Sequence, residues 1–186
     1  VGLDRTGTAW GQSMHFPGKE RFFDHEDLIV SKTDVTGKIT YANHTFLEVA
    51  GYEEVDCVGQ QHNLIRNPNM PRAVFKLLWD TVATGQEIFA YVVNSAKNGD
   101  HYWVIAHVTP SFENGNIVGY HSTRRVPNGE TIRGTIMPLY DKLLGIEQNN
   151  ASKKDGMTES VNALLGILSE KGVSYNEFMS GLMRND

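Results

Sequence analysis

The segment from Gln60 to Pro71 (QQHNLIRNPNMP) concentrates the groups in this chain best suited to holding another molecule. It offers an imidazole, a guanidinium and several carboxamides, among them His62, Arg66, Asn67 and Asn69. Asn43, Asn94 and His121 are expected to converge with them over an apolar sheet face, so that amides and one cation surround a cavity. This is a recognition set, since carboxamides present donor and acceptor together and a guanidinium grips anionic groups. Bond-making chemistry has weaker support. The carboxylates Glu53, Glu54, Asp56, Glu87 and Asp100 fall in turns and helix starts, where charged groups are usually solvated. There is no nucleophile elbow, phosphate-cradling glycine loop or paired-cysteine metal motif, and the chain reads as a non-enzyme. Of seven histidines, His101 and His107 fall on the strand face opposite Tyr102, whereas His62 and His121 are expected to face the cavity. An inward histidine is more often a hydrogen-bonded core residue than an iron ligand.

The elements that must position these groups follow from strand and turn chemistry. Phe89–Ser95, His101–Pro110 and Ile117–Arg124 read as an antiparallel meander joined through Asn98-Gly99 and Asn114-Gly115-Asn116, because Asn-Gly supplies the positive φ of tight hairpins. Strand parity places Tyr102, Val104, Ala106 and Val108 on one face and Trp103, Ile105 and His107 on the other. Neither face is polar, so both must be covered. Phe89, Tyr91, Trp103, Ile105 and Tyr120 form the outer patch by parity. Aromatic residues bury about 150–250 Å² each, so this face is expected to be an interface, covered by the N-terminal arm with Trp10 and Phe16 and by a second copy in a homodimer. Upstream, 28–33 and 38–41 form another hairpin, Asn43 caps a short helix over 44–50, and 72–84 has helical periodicity. Downstream, 130–146 is amphipathic with Pro138 expected to kink it, 147–155 is a polar link, and 157–170 and 175–183 are helical.

With 186 residues, 40% hydrophobic and 21% charged, the chain suits one domain with extensions. A net charge of −5 with no basic stripe argues against nucleic-acid binding. One cysteine, Cys57, excludes an internal disulfide. No membrane span or signal peptide is evident, and a cytoplasmic location is expected.

The strand order, Asn43–Phe46 (NHTF), Gly51-Tyr52 and Lys97–Val104 (KNGDHYWV) together resemble a PAS domain. More narrowly, HNLIRNPNMP through GYHSTRR is similar to the PAS domain of bacterial aerotaxis transducers, with RNPNMP where that family has RHPDMP and Ile88 where it has Trp. The resemblance implies an α+β PAS fold, a five-stranded antiparallel sheet with short helices on one face. The similarity covers about 27–144, and the change in character along the chain divides it into an N-terminal arm over 1–26, a sensor domain over 27–125 and a helical extension over 126–186. The resemblance further implies a small stand-alone PAS protein that senses redox, oxygen or energy state through noncovalent FAD and signals to a chemoreceptor or kinase. In that reading Val92, Val104, Ala106 and Val108 leave a slot for the flavin ring. Asn43, Asn94 and His121 bond its edge, and Arg66 with the loop through Asn69 takes the diphosphate. A cofactor-free interaction module with a packed pocket and a haem-binding gas sensor are the alternatives.

Overall fold

The computed structural model describes Met14 and residues 16–184. Strands β1 (Ile29–Asp34), β2 (Ile39–Ala42), β3 (Ile88–Ser95), β4 (His101–Glu113) and β5 (Asn116–Arg125) form one antiparallel sheet in the order β2-β1-β5-β4-β3. Between β2 and β3 run α1 (His44–Ala50), α2 (Glu54–Cys57), a 3-10 turn (His62–Ile65) and α3 (Arg72–Ala83). This is the α+β, five-stranded arrangement expected from the sequence.

Turn chemistry sets the frame. Gly37, Gly51 and Gly99 all adopt positive φ, and Asn114 (φ 49°) with Gly115 (φ 80°) makes the two-residue hairpin loop between β4 and β5. That loop pairs Glu113 with Asn116 and Phe112 with Ile117. Continued without interruption, this register would set His121 opposite Val108 and Tyr120 opposite Thr109. The register instead shifts between Ser111 and Phe112, so that Ser111 pairs with Gly119 and Val118 is the extra residue. A one-residue bulge inverts which face every later side chain of β5 meets. Two expectations are corrected by it. His121, opposite Thr109 and Lys32, lies on the outer face, and Tyr120, opposite Pro110, turns inward.

The outer face is covered from within the same chain. After β5 come α4 (Gly129–Thr131), a π-helical turn (Ile132–Ile136) and α5 (Met137–Asn149), followed by α6 (Lys153–Glu170) and α7 (Tyr175–Met183). Pro138 therefore sits in the first turn of α5, just after the π turn. That placement accommodates its missing N–H and the clash it would cause inside a regular helix. Tyr140 of α5 is buried, donates its hydroxyl to the Tyr91 carbonyl at 2.6 Å, and sets its ring 6.2 Å from that of Trp103. Phe16 meets Trp103 edge-on at 5.8 Å, and Met14 is buried in the same core. Tyr91, Trp103 and Ile105 are consequently all buried, while Phe89 is half-buried and stacks on His107 at 4.1 Å. The expected interface is thus an intramolecular core, and the argument for a second copy on this face lapses. Arm residue Trp10 lies outside the described residues.

Candidate functional site

On the inner face, small side chains leave a cavity of about 610 Å³ between the sheet, the 3-10 turn and α3. Val92, Ala106 and Val108 form part of its apolar floor. Phe75 and Trp79 of α3 wall it, and Trp79 meets Tyr120 edge-to-face at 5.3 Å. The size lies within the usual range for small-molecule sites, roughly 300–1,000 Å³.

Three of the expected residues are brought together here: His62, Arg66 and Asn94 all line the cavity. Arg66 forms a backbone bridge with Asn94, and its guanidinium lies 4.6 Å from the Phe75 ring centroid. Burial and the nearby Arg72 lower its pKa, with Glu147 opposing them. Arg72 and Lys76 line the same cavity, as does Asp80, which pairs with Lys76 at 2.7 Å, so cations outnumber carboxylates at this rim.

The other amides have structural duties. Asn43 Oδ1 accepts from Phe46 N at 3.0 Å and Val30 N at 2.9 Å, while Nδ2 donates to the Leu28 carbonyl at 2.7 Å. Its carboxamide is spent on capping α1 and tying it to β1, and it does not line the cavity. Asn67 is buried, donates to Ser95 Oγ at 3.1 Å and accepts from Asn69 N at 2.9 Å. Asn67 and Asn69 thus brace the loop carrying Arg66 rather than line the cavity.

The sequence reading missed Arg124. It is 4% exposed and donates through Nη2 to Ser31 Oγ at 3.0 Å and to His62 Nε2 at 2.7 Å. Because Arg donates, His62 Nε2 is the unprotonated acceptor. Burial, reinforced by the Arg124 charge, drives the His62 pKa down to about 3. Burial likewise lowers Arg124 to about 10, leaving it charged at neutral pH. Even parity with Ser122 would have revealed Arg124, had the bulge been legible.

A pH dependence follows. An unfolded His62 titrates near 6.5 and the folded one near 3, so the unfolded chain takes up the extra proton between these values. Stability from this group is complete above pH 6.5 and declines as pH falls toward 3. Urea unfolding at pH 7 and 5 should show wild type losing about 2 kcal/mol more than His62→Gln. Equal losses would mean that His62 is not held neutral.

Glu147 was expected in a polar link but ends α5, where its carboxylate accepts from Arg72 N (3.1 Å) and Ala73 N (2.9 Å). Pro71 at the start of α3 provides no side-chain cap, so Glu147 supplies it from the C-terminal helices. Met157 of α6 also lines the cavity. Cys57 is buried outside the cavity lining, with its thiol pKa raised by that burial.

No helix among the described residues is long and apolar enough to cross a membrane. Comparison with known proteins gives a match to the PAS fold family over residues 39–124. The aerotaxis receptor of Escherichia coli (strain K12) is 43% identical over 118 residues, 63% of this chain and 23% of the receptor. A blue-light-activated histidine kinase of Brucella canis is 25% identical over 146 residues, 78% of this chain and 28% of the kinase. The chain therefore spans about a quarter of the length of these relatives. A light-oxygen-voltage domain studied with a flavin analogue superimposes with a TM-score of 0.52 at 18% identity, covering 59% of this chain and 82% of that one. Strand order, the helices between β2 and β3, and the family match agree: residues 39–124 have the PAS fold, in a chain similar in sequence to part of the aerotaxis receptor.

Proposed function

We propose that this chain is a signal-sensing module whose cavity binds FAD noncovalently and whose helices pass the state of the site to a chemoreceptor or kinase. The observation that carries this reading is the make-up of the cavity. It has aromatic and branched walls, buried polar groups on the floor and cations at the rim. A dinucleotide flavin has matching parts, a flat apolar ring with a polar edge and an anionic tail. Thr33, Ser122 and Arg124 line this cavity, and their Oγ1, Oγ and Nη1 atoms are buried without hydrogen-bond partners among the described residues. When bound, the flavin supplies redox chemistry, the basis for sensing oxygen or energy state.

The chain's own residues divide the work. Arg66, with Arg72 and Lys76, holds the anionic tail at the rim, and Phe75 and Trp79 exclude water from the ring. Relay has two routes. Movement of α3 reaches α5 through the Glu147 cap, and movement of the sheet reaches α5 through Tyr140. A haem reading is disfavoured because His62 directs its Nε2 lone pair at Arg124 rather than into the cavity. A side-chain-packed interaction module does not fit an open volume of about 610 Å³.

Arg66→Ala should weaken FAD binding about tenfold or more, the worth of a charge-assisted hydrogen bond, with circular dichroism unchanged. Unaltered affinity in a folded variant would remove Arg66 from the tail site.

A further inference from the structure

The helices after β5 do more than cover the outer face. β3 is the edge strand of the sheet, and α5 runs past this edge, from Tyr140 on Tyr91 to Glu147 on the first turn of α3. There the chain reverses, and α6 packs back along α5 and against α3. The corner between the two helices is tight. A Cβ at Gly156 would lie 2.8 Å from the Glu147 carbonyl oxygen and 3.1 Å from its Cα, an approach that glycine alone permits. Ser160 Oγ donates to the Leu143 carbonyl at 3.2 Å, and Asn150 Nδ2 donates to the Ile146 carbonyl at 3.2 Å and to Glu159 Oε2 at 2.8 Å. These contacts make the corner one unit. Two of its side chains meet the cavity wall: Met157 lines the cavity, and Glu147 accepts from Arg72 N and Ala73 N. The Glu147 carboxylate thus sits at the positive end of α3, and its charge acts on Arg66, which with Arg72 belongs to the rim.

We infer that the α5–α6 corner is a charge-sensitive latch on the ligand chamber: a phosphate-bearing tail must share Arg66 and Arg72 with Glu147, and its binding releases the corner from α3, whereas an uncharged ligand leaves it docked. This rests on the flavin reading above and adds how that site is regulated. Docked, Glu147 offsets part of the positive charge at the rim, and Met157 keeps its place in the cavity wall. An incoming phosphate sets a second negative charge on the same half-buried cations, where like charges repel more strongly than in water. Glu147 yields, because two hydrogen bonds hold its carboxylate and the corner can carry it into solvent. A ligand shifts such an equilibrium only through a difference in affinity for the two states, and here the difference is one of charge. The coupling is reciprocal: docking lowers affinity for the anionic tail by the factor by which the tail weakens docking.

Riboflavin and FAD separate ring from charge, since riboflavin has the ring but no phosphates. Glu147→Gln removes the charge and keeps a carbonyl oxygen to accept from the start of α3. Fluorescence titration of the flavin-stripped protein should show this variant binding FAD about 5- to 20-fold more tightly than wild type, with riboflavin affinity within about twofold. A purely structural Glu147 would move both affinities alike or neither. Hydrogen exchange supplies a second readout. In wild type, α6 amides should exchange faster with saturating FAD than with saturating riboflavin or no ligand, and in Glu147→Gln that difference between the two flavins should vanish. Should Glu147→Gln fail to fold, Gly156→Ala serves the same end. Its methyl group forces α6 away from Glu147 while suiting the helix, and FAD affinity alone should rise. Unchanged FAD affinity, equal shifts for the two ligands, or α6 exchange that slows when FAD binds overturns the latch and leaves the flavin reading intact. Wild type that binds neither compound overturns both.

Discussion

Ala106→Phe is expected to abolish FAD binding, by at least about 100-fold, without unfolding the protein. Ala106 is 3% exposed, in the middle of β4, with its side chain lining the cavity beside Val92 and Val108. A phenyl group there enters open volume rather than packed core, so the overpacking penalty of 1–3 kcal/mol typical of full interiors should largely be avoided. Phenylalanine also favours strands. Ligand-free stability should therefore stay within about 1 kcal/mol of wild type or rise, while the ring loses its place. Calorimetric titration with FAD, beside urea unfolding of the ligand-free protein, checks both halves. FAD bound as tightly as by wild type would place the ring elsewhere.

The largest stability effect should come from Tyr140→Ala. Tyr140 is 1% exposed, meets Trp103, and donates to the Tyr91 carbonyl in a buried hydrogen bond. Truncating a buried aromatic costs about 3–5 kcal/mol, and here it also removes the hydrogen bond to the Tyr91 carbonyl. Tyr140→Phe should cost only about 1 kcal/mol, the net worth of the hydrogen bond. Since α5 reaches Tyr91 and Trp103 through Tyr140, Tyr140→Ala should also expose apolar surface to a hydrophobic dye. Denaturant unfolding of the three proteins decides it. A Tyr140→Ala loss below about 1 kcal/mol would mean that α5 does not hold the outer face.

These two residues also mark where sequence reasoning succeeds and where it stops. Ala106 was placed correctly because β3 and β4 pair without interruption from Ile88–Val108 to Ser95–His101, so parity carries over the whole ladder. Asn43 was legible as a cap, but its three hydrogen bonds to Phe46, Val30 and Leu28 arise only when α1 docks on β1. His121 and Tyr120 were assigned to the wrong faces for a single reason, the bulge at Val118, which no local residue pattern announces. Arg124 was hidden by the same inversion. Tyr140 was recognised on an amphipathic helix, yet periodicity gives a helix an apolar stripe and not a partner. The outer sheet face was seen to need cover, and that need was met by α5 of the same chain. Glu147 read as part of a polar link because its role depends on α3 beginning at a proline with no cap of its own.

The most direct test is the visible absorption spectrum of freshly purified, untreated protein, followed by release of any chromophore on denaturation. A band near about 450 nm, lost to the filtrate and identified there as FAD by mass, is the expected result. Colourless protein that also takes up no added FAD, or a haem band near about 400 nm, would contradict the account.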